Sequence, residues 1–131
     1  MLGRHLVPLL EKSGHTVSSP NREELDLTDS KSTLNYLKSI EIDSVIHCAA
    51  YVSGIASNMT TKHHSFDSNV MMGLNLIRAC VESGVKNMIN VGSATAYPND
   101  APQPLREDSL GDGAFDKSIE GYALSKFVVY R

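Results

Sequence analysis

The stretch Ile42-Asp43-Ser44-Val45-Ile46-His47-Cys48-Ala49-Ala50 decides the fold. Its residues 44–48 read as a short buried strand. Small and polar residues follow at once, through Tyr51-Val52-Ser53-Gly54. Residues 86–91 read as another buried strand. Between the two, residues 62–83 carry a long helix that ends at Gly84. Strand and helix in alternation, with apolar strands, predict an α/β fold with a parallel sheet covered on both faces. In such sheets ligands sit at the carboxyl ends of the strands. Three segments follow such ends here: the loop after Val17, the stretch after His47 and the stretch after Val91.

Upstream, residues 2–13 place Leu2, Leu6, Leu9 and Leu10 on one helical face. Gly14 stops that helix, because glycine takes a positive φ freely. Residues 15–18 are a short strand candidate and 19–28 a polar loop. Asp29 is placed to cap a helix over 30–39, with Leu34, Leu37 and Ile40 inward. Downstream, residues 97–117 hold Pro98, Pro102, Pro104, Gly111 and Gly113, and so form a long irregular loop. Loops of that length inside a compact domain are often functional. The acidic residues Glu107, Asp108 and Asp112 read as solvent-exposed charge within it. A last helix starts near Ser118.

At 131 residues there is room for one domain. The net charge of −3 advertises no basic face, which argues against nucleic acid and anionic membrane as partners. No apolar run approaches the roughly 20 residues of a membrane span, and no signal-peptide pattern opens the chain. Cys48 and Cys80 lie in apolar runs and read as buried free thiols of a cytoplasmic protein. His63 and His64 are neighbours on a helix and point about 100° apart, which disfavours joint metal binding, so no metal site is expected. His47, at a strand end, is expected to pack or hydrogen-bond rather than catalyse.

Tyr122-Ala123-Leu124-Ser125-Lys126 sets a phenol and an ammonium four positions apart, on one face of the last helix. A nearby ammonium favours the phenolate, so this tyrosine could exchange a proton with a carbonyl or alcohol oxygen. Alone, the spacing equally describes two amphipathic residues on one side of a helix. Context adds to it. Gly92-Ser93-Ala94-Thr95-Ala96-Tyr97-Pro98 follows a buried strand about 30 residues earlier. Ser93 could offer its hydroxyl to the same oxygen, or serve as a turn residue bonding its own backbone.

With these segments in order, the sequence resembles the extended short-chain dehydrogenase/reductases, the NAD-dependent epimerase/dehydratase superfamily. Within them it looks most like the GDP-L-fucose synthase group. The matching segments are Met1-Leu2-Gly3-Arg4, Arg22-Glu23-Glu24-Leu25-Asp26-Leu27, the run from Ile42 to Ala50, Val52-Ser53-Gly54-Ile55, Asn69-Val70-Met71-Met72-Gly73-Leu74-Asn75, Gly92 to Pro98, and Tyr122 to Lys126. The resemblance implies a Rossmann-type doubly wound parallel sheet, here incomplete. It implies an NADP(H)-dependent oxidoreductase that reduces a 4-keto-6-deoxy hexose of a nucleotide sugar, with NAD as the other possible cofactor.

The roles it implies are these. Tyr122 is the proton donor. Lys126 assists it and holds the nicotinamide ribose. Ser93 polarises the substrate carbonyl. Gly3 is the last glycine of the dinucleotide loop, at the helix end facing the pyrophosphate. Asp26 and Leu27 border the adenine, and Ala49, Ala50 and Tyr51 line the cofactor's path. Asn69 braces the site from the long helix. Arg22 is the candidate for a 2′-phosphate, since no acidic residue ends the strand around Val17.

Two departures matter. The family's glycine series G-x-x-G-x-x-G and the strand before it are represented only by Met1-Leu2-Gly3. The chain is therefore expected to be part of a longer protein, lacking the first strand and a C-terminal substrate domain. The isolated piece is expected to be unstable or inactive. The family also assigns its epimerisation to a cysteine two residues after the catalytic serine, and Thr95 stands there. A hydroxyl is far too weak an acid to replace a thiol, so the epimerase step is doubtful while ketone reduction keeps its residues. A homodimer through the helices beginning near 62 and 118 is expected. The alternatives are an NAD-dependent nucleotide-sugar epimerase or dehydratase, and a truncated non-catalytic interaction module.

Overall fold

Among the described residues, two four-residue strands pair in parallel and four α-helices accompany them. The computed structural model describes residues 2–54 and 62–131. Met1 and Ile55 of the matching segments lie outside the described residues. The elements run α1 (Leu2–Lys12), α2 (Ser30–Ser39), β1 (Ser44–His47), α3 (Lys62–Ser83), β2 (Asn87–Asn90) and α4 (Glu120–Tyr130). Single 3-10 turns occupy Ala94–Ala96 and Glu107–Ser109.

Local chemistry explains the helix ends. The Asp29 carboxylate accepts a hydrogen bond from the Ser32 amide at 3.0 Å and so caps α2. Gly84, at φ +74°, lets the chain leave α3 in the left-handed region, where a β-carbon would be strained. β1 and β2 then pair in register, Ser44 opposite Asn87 through His47 opposite Asn90. The helix between them, α3, is thereby the crossover of a parallel strand–helix–strand unit.

The core lies where α2 and α3 meet one face of this sheet. Leu37, Leu76, Ala79 and Cys80 are buried there, with Leu27, Leu34, Ile42, Val45, Val85 and Met88 packed around them. Each large apolar side chain buried in this way contributes about 1.5–3 kcal/mol. Asn75, buried on α3, ties the loop before α2 to this core by donating to the carbonyls of Leu27 and Thr28, both at 3.0 Å.

Several expectations need correction. Residues 15–18 form no strand among the described residues. β1 and β2 bond only to each other, and a strand exists only through a laddered neighbour. The sheet is not covered on both faces by the described residues. Ile89 on the open face is 60% exposed. The apolar face of α1 is not inward either: Leu2 and Leu9 are exposed, while Leu6 and Leu10 are half-buried. Ile40 is half-buried, at the C-cap of α2. α4 begins at Glu120 rather than near Ser118, because Asp116 closes a turn on the amide and hydroxyl of Ser118 (2.8 and 2.7 Å). Among the described residues no helix is long and apolar enough to cross a membrane.

α3 and α4 pack most closely of all the helices. A β-carbon on Gly73 would stand 2.6 Å from both Cγ atoms of Val129, so only glycine admits α4 at that depth. Ser65, Ala123 and Ser125 are fully buried in small-residue surroundings on the same two helices.

Candidate active site

α4 carries Tyr122 and Lys126 one turn apart, and its packing on α3 aims them at the carboxyl ends of the strands. Lys126 is only 7% exposed. Its ammonium donates to the Val91 carbonyl at 3.1 Å, just past the end of β2. It stands 5.8 Å from the centroid of the Tyr122 ring. Burial lowers the Lys126 pKa from its ordinary value, and the Cys48 sulfur at the end of β1 acts in the opposite sense. The ammonium is thus held just past the end of β2. Tyr122 is half-buried beside it.

The 3-10 turn after β2 lies against α4 and supplies the hydroxyls. Ser93 caps this turn, its Oγ accepting from the Thr95 amide at 3.3 Å. The same Oγ and Thr95 Oγ1 are 2.8 Å apart and share a hydrogen bond. The turn reading of Ser93 holds, and the turn leaves its hydroxyl half-buried beside the helix of Tyr122 and Lys126.

The loop after β1 is held from α3. The Asn69 side chain accepts from the Tyr51 amide at 2.8 Å and donates to the Tyr51 carbonyl at 3.0 Å and the Ser65 carbonyl at 2.8 Å. One amide group thus satisfies both backbone groups of Tyr51, as a neighbouring strand would. The Tyr51 ring meets the edge of His64 at 4.7 Å. We expect Asn69→Ala to cost about 2–3 kcal/mol of stability, because it leaves partly buried backbone groups unpaired. Denaturant unfolding measures this, and a change below the usual surface-substitution scatter would show the brace to be dispensable.

His47 is buried at the end of β1 and held neutral. Burial, and secondarily the Lys126 charge, push its pKa down to about 4 from 6.5. The unfolded chain takes up a proton as pH falls below 6.5, whereas the folded chain does not until about 4. Stability is therefore complete above pH 6.5 and is lost progressively towards pH 4, by up to about 3 kcal/mol. Thermal unfolding across that window should show the loss, and His47→Gln should flatten it.

Comparison with known proteins gives this geometry its context. Residues 1–131 match the NAD dependent epimerase/dehydratase family along their whole length. The chain belongs to that family. It is 32% identical over 126 residues to GDP-L-colitose synthase of Yersinia pseudotuberculosis, covering 96% of this chain and 41% of that protein. It is 34% identical over 128 residues to GDP-L-fucose synthase of Azorhizobium caulinodans, covering 98% and 41%. Among solved structures, MlghC, the GDP-mannoheptose C4 reductase of Campylobacter jejuni with NADP bound, superposes with a TM-score of 0.90. That match is at 26% identity and covers 97% of this chain and 40% of MlghC. The chain thus spans about 41% of the length of the curated relatives it matches. The fold is the Rossmann-type α/β arrangement of these relatives.

The residues expected on the cofactor side are dispersed among several elements. Gly3 lies in the first turn of α1 with open space where a β-carbon would project. Arg22 is exposed, and its charge helps hold the Asp26 carboxyl below the ordinary carboxylate range; the larger causes are the hydroxyl and amide of Thr28. Leu27 is half-buried and packs against the core. Ala49 is exposed, and Ala50 and Tyr51 are half-buried after β1. A nicotinamide dinucleotide is compatible with this set: a buried ammonium stands beside a tyrosine past the end of β2, and an exposed guanidinium follows the segment 15–18. Sequence reasoning passed over two features of the site. The carbonyl partner of Lys126 is Val91, and His47 is a neutral neighbour of that ammonium. Neither leaves a local signal, because each contact joins residues from separate elements.

Proposed function

We propose that the full-length protein is a cytoplasmic reductase that uses NADPH to reduce the 4-keto group of a GDP-linked 4-keto-6-deoxy hexose. The observation that carries this reading is the Lys126 ammonium, buried and held on the Val91 carbonyl beside Tyr122, with the Ser93 and Thr95 hydroxyls on the adjoining turn. Bound NADPH would supply the hydride to the keto carbon. Tyr122 gives its phenolic proton to the keto oxygen as that oxygen gains charge. Ser93 donates a hydrogen bond to the same oxygen, and Thr95 orients the Ser93 hydroxyl. Lys126 stabilises the phenolate left behind and holds the cofactor ribose. Gly3, Asp26, Leu27, Ala49, Ala50 and Tyr51 line the dinucleotide, and Asn69 steadies Tyr51 for it.

Thr95 supports reduction without epimerisation. Its hydroxyl is engaged with Ser93 and is too weak an acid to exchange a proton at a sugar carbon. The free thiols Cys48 and Cys80 accord with a reducing compartment. Met71 on α3 and Leu124 and Val128 on α4 are exposed, in keeping with a homodimer through these two helices.

The deciding experiment is turnover of GDP-linked 4-keto-6-deoxy sugars by the full-length protein with NADPH or NADH, with solvent deuterium to report epimerisation. Stoichiometric NADPH oxidation with no deuterium at the neighbouring sugar carbons is the expected result. Arg22→Ala should raise the KM for NADPH about tenfold and leave that for NADH unchanged, as loss of one charged phosphate contact would. Tight retention of NAD with no net NADPH consumption would instead establish an epimerase or dehydratase.

A further inference from the structure

We infer that Gly121 is a positioning residue whose backbone contact with Lys62 sets the depth of α4, and with it the placement of Tyr122 and Lys126. The inference rests on the reading of those two residues as the acid–base pair.

Gly121 is buried in the first turn of α4, immediately before Tyr122. A β-carbon there would collide with the Lys62 carbonyl oxygen, and would stand 2.9 Å from the Lys62 carbonyl carbon and 3.1 Å from its Cα. These are backbone atoms of the first residue of α3, which no side-chain rotation can move aside. A second observation marks the same junction. The Lys62 ammonium and the Glu120 carboxylate pair across it at 3.0 Å. The first turns of α3 and α4 are therefore drawn together by charge and allowed to touch by the missing side chain.

The consequence reaches the chemistry directly. Tyr122 is the next residue along. Lys126 is one turn further and reaches Val91 with a single hydrogen bond of 3.1 Å. Lifting the start of α4 to admit a methyl group moves the tyrosine away from the Ser93 turn and stretches the Lys126 contact. A misplacement of about 1 Å at reacting groups can cost about 10²-fold in rate. The Gly73–Val129 contact holds the opposite end of α4, so the helix responds by tilting rather than by sliding as a whole.

The test is Gly121→Ala in the full-length protein. The expected result is a fall in kcat of about 10–100-fold per folded molecule. A crystal structure of the variant should show the Lys126–Val91 hydrogen bond broken. A variant that is less stable but keeps the wild-type kcat and that hydrogen bond would overturn the inference. If Gly121→Ala does not fold, Lys62→Glu decides. A several-fold loss of kcat, restored by the exchange Lys62→Glu with Glu120→Lys, supports the inference, and an unchanged kcat for Lys62→Glu overturns it. Should the wild type reduce no keto sugar, the functional reading falls on its own. The variant's Lys126–Val91 geometry still decides the positioning role.

Discussion

Tyr122→Phe in the full-length protein lowers kcat for NADPH-dependent ketone reduction by about 10²–10⁴-fold, the range expected when a positioned proton donor is lost. The substitution keeps the ring and its place 5.8 Å from the Lys126 ammonium, and removes only the hydroxyl. Nothing in the packing depends on that hydroxyl, since the described contacts of Tyr122 are made by its ring and by its backbone carbonyl, which accepts from Ser125 at 2.7 Å. Thermal stability should therefore stay within the small range of a surface change, about 0.5 kcal/mol. NADPH affinity should change little. Steady-state kinetics beside a thermal melt checks all three at once. Equal rates for the two proteins would remove Tyr122 from the chemistry.

Lys126→Met separates function from stability more sharply. The ammonium is buried, bonded to one neutral carbonyl, and no salt bridge of the described residues includes it. Burial already disfavours its charge and lowers its pKa. Methionine keeps the length of the side chain and removes the charge. Replacing a buried charge with an apolar group of similar shape is often neutral or stabilising. We expect the melting temperature to be retained and kcat/KM to fall about 10²–10³-fold, as when one preorganised donor is lost. The pKa of His47 should rise towards its ordinary value, since the Lys126 charge is one of the two causes that depress it. A destabilised variant with an unaltered rate per folded molecule would make Lys126 a structural residue instead.

Much of the backbone was legible from nearest neighbours in the chain. Asp29 capping α2, Gly84 closing α3, and the two short strands each rest on chemistry within a few residues. The face shared by Tyr122 and Lys126 follows from helical periodicity alone. Other readings failed where a partner was required. Residues 15–18 have strand character but no ladder, and the apolar face of α1 has no closely packed partner among the described residues. The α3–α4 junction was missed for a different reason. Its buried positions are small or polar, Ser65, Asn69 and Gly73 on one helix and Gly121 and Ser125 on the other, each spaced by four. A search for apolar periodicity passes over such a face, although its spacing is as regular.

The Tyr122 and Lys126 pair shows where the division falls. Its spacing, its helix and its order after Ser93 are properties of the chain read locally. Its electrostatics come from groups distant in sequence: the Val91 carbonyl and the Cys48 sulfur. Hydrogen bonding and loss of solvent are set by whatever folding brings alongside, so only the packed structure decides that this ammonium is buried, held and chemically tuned.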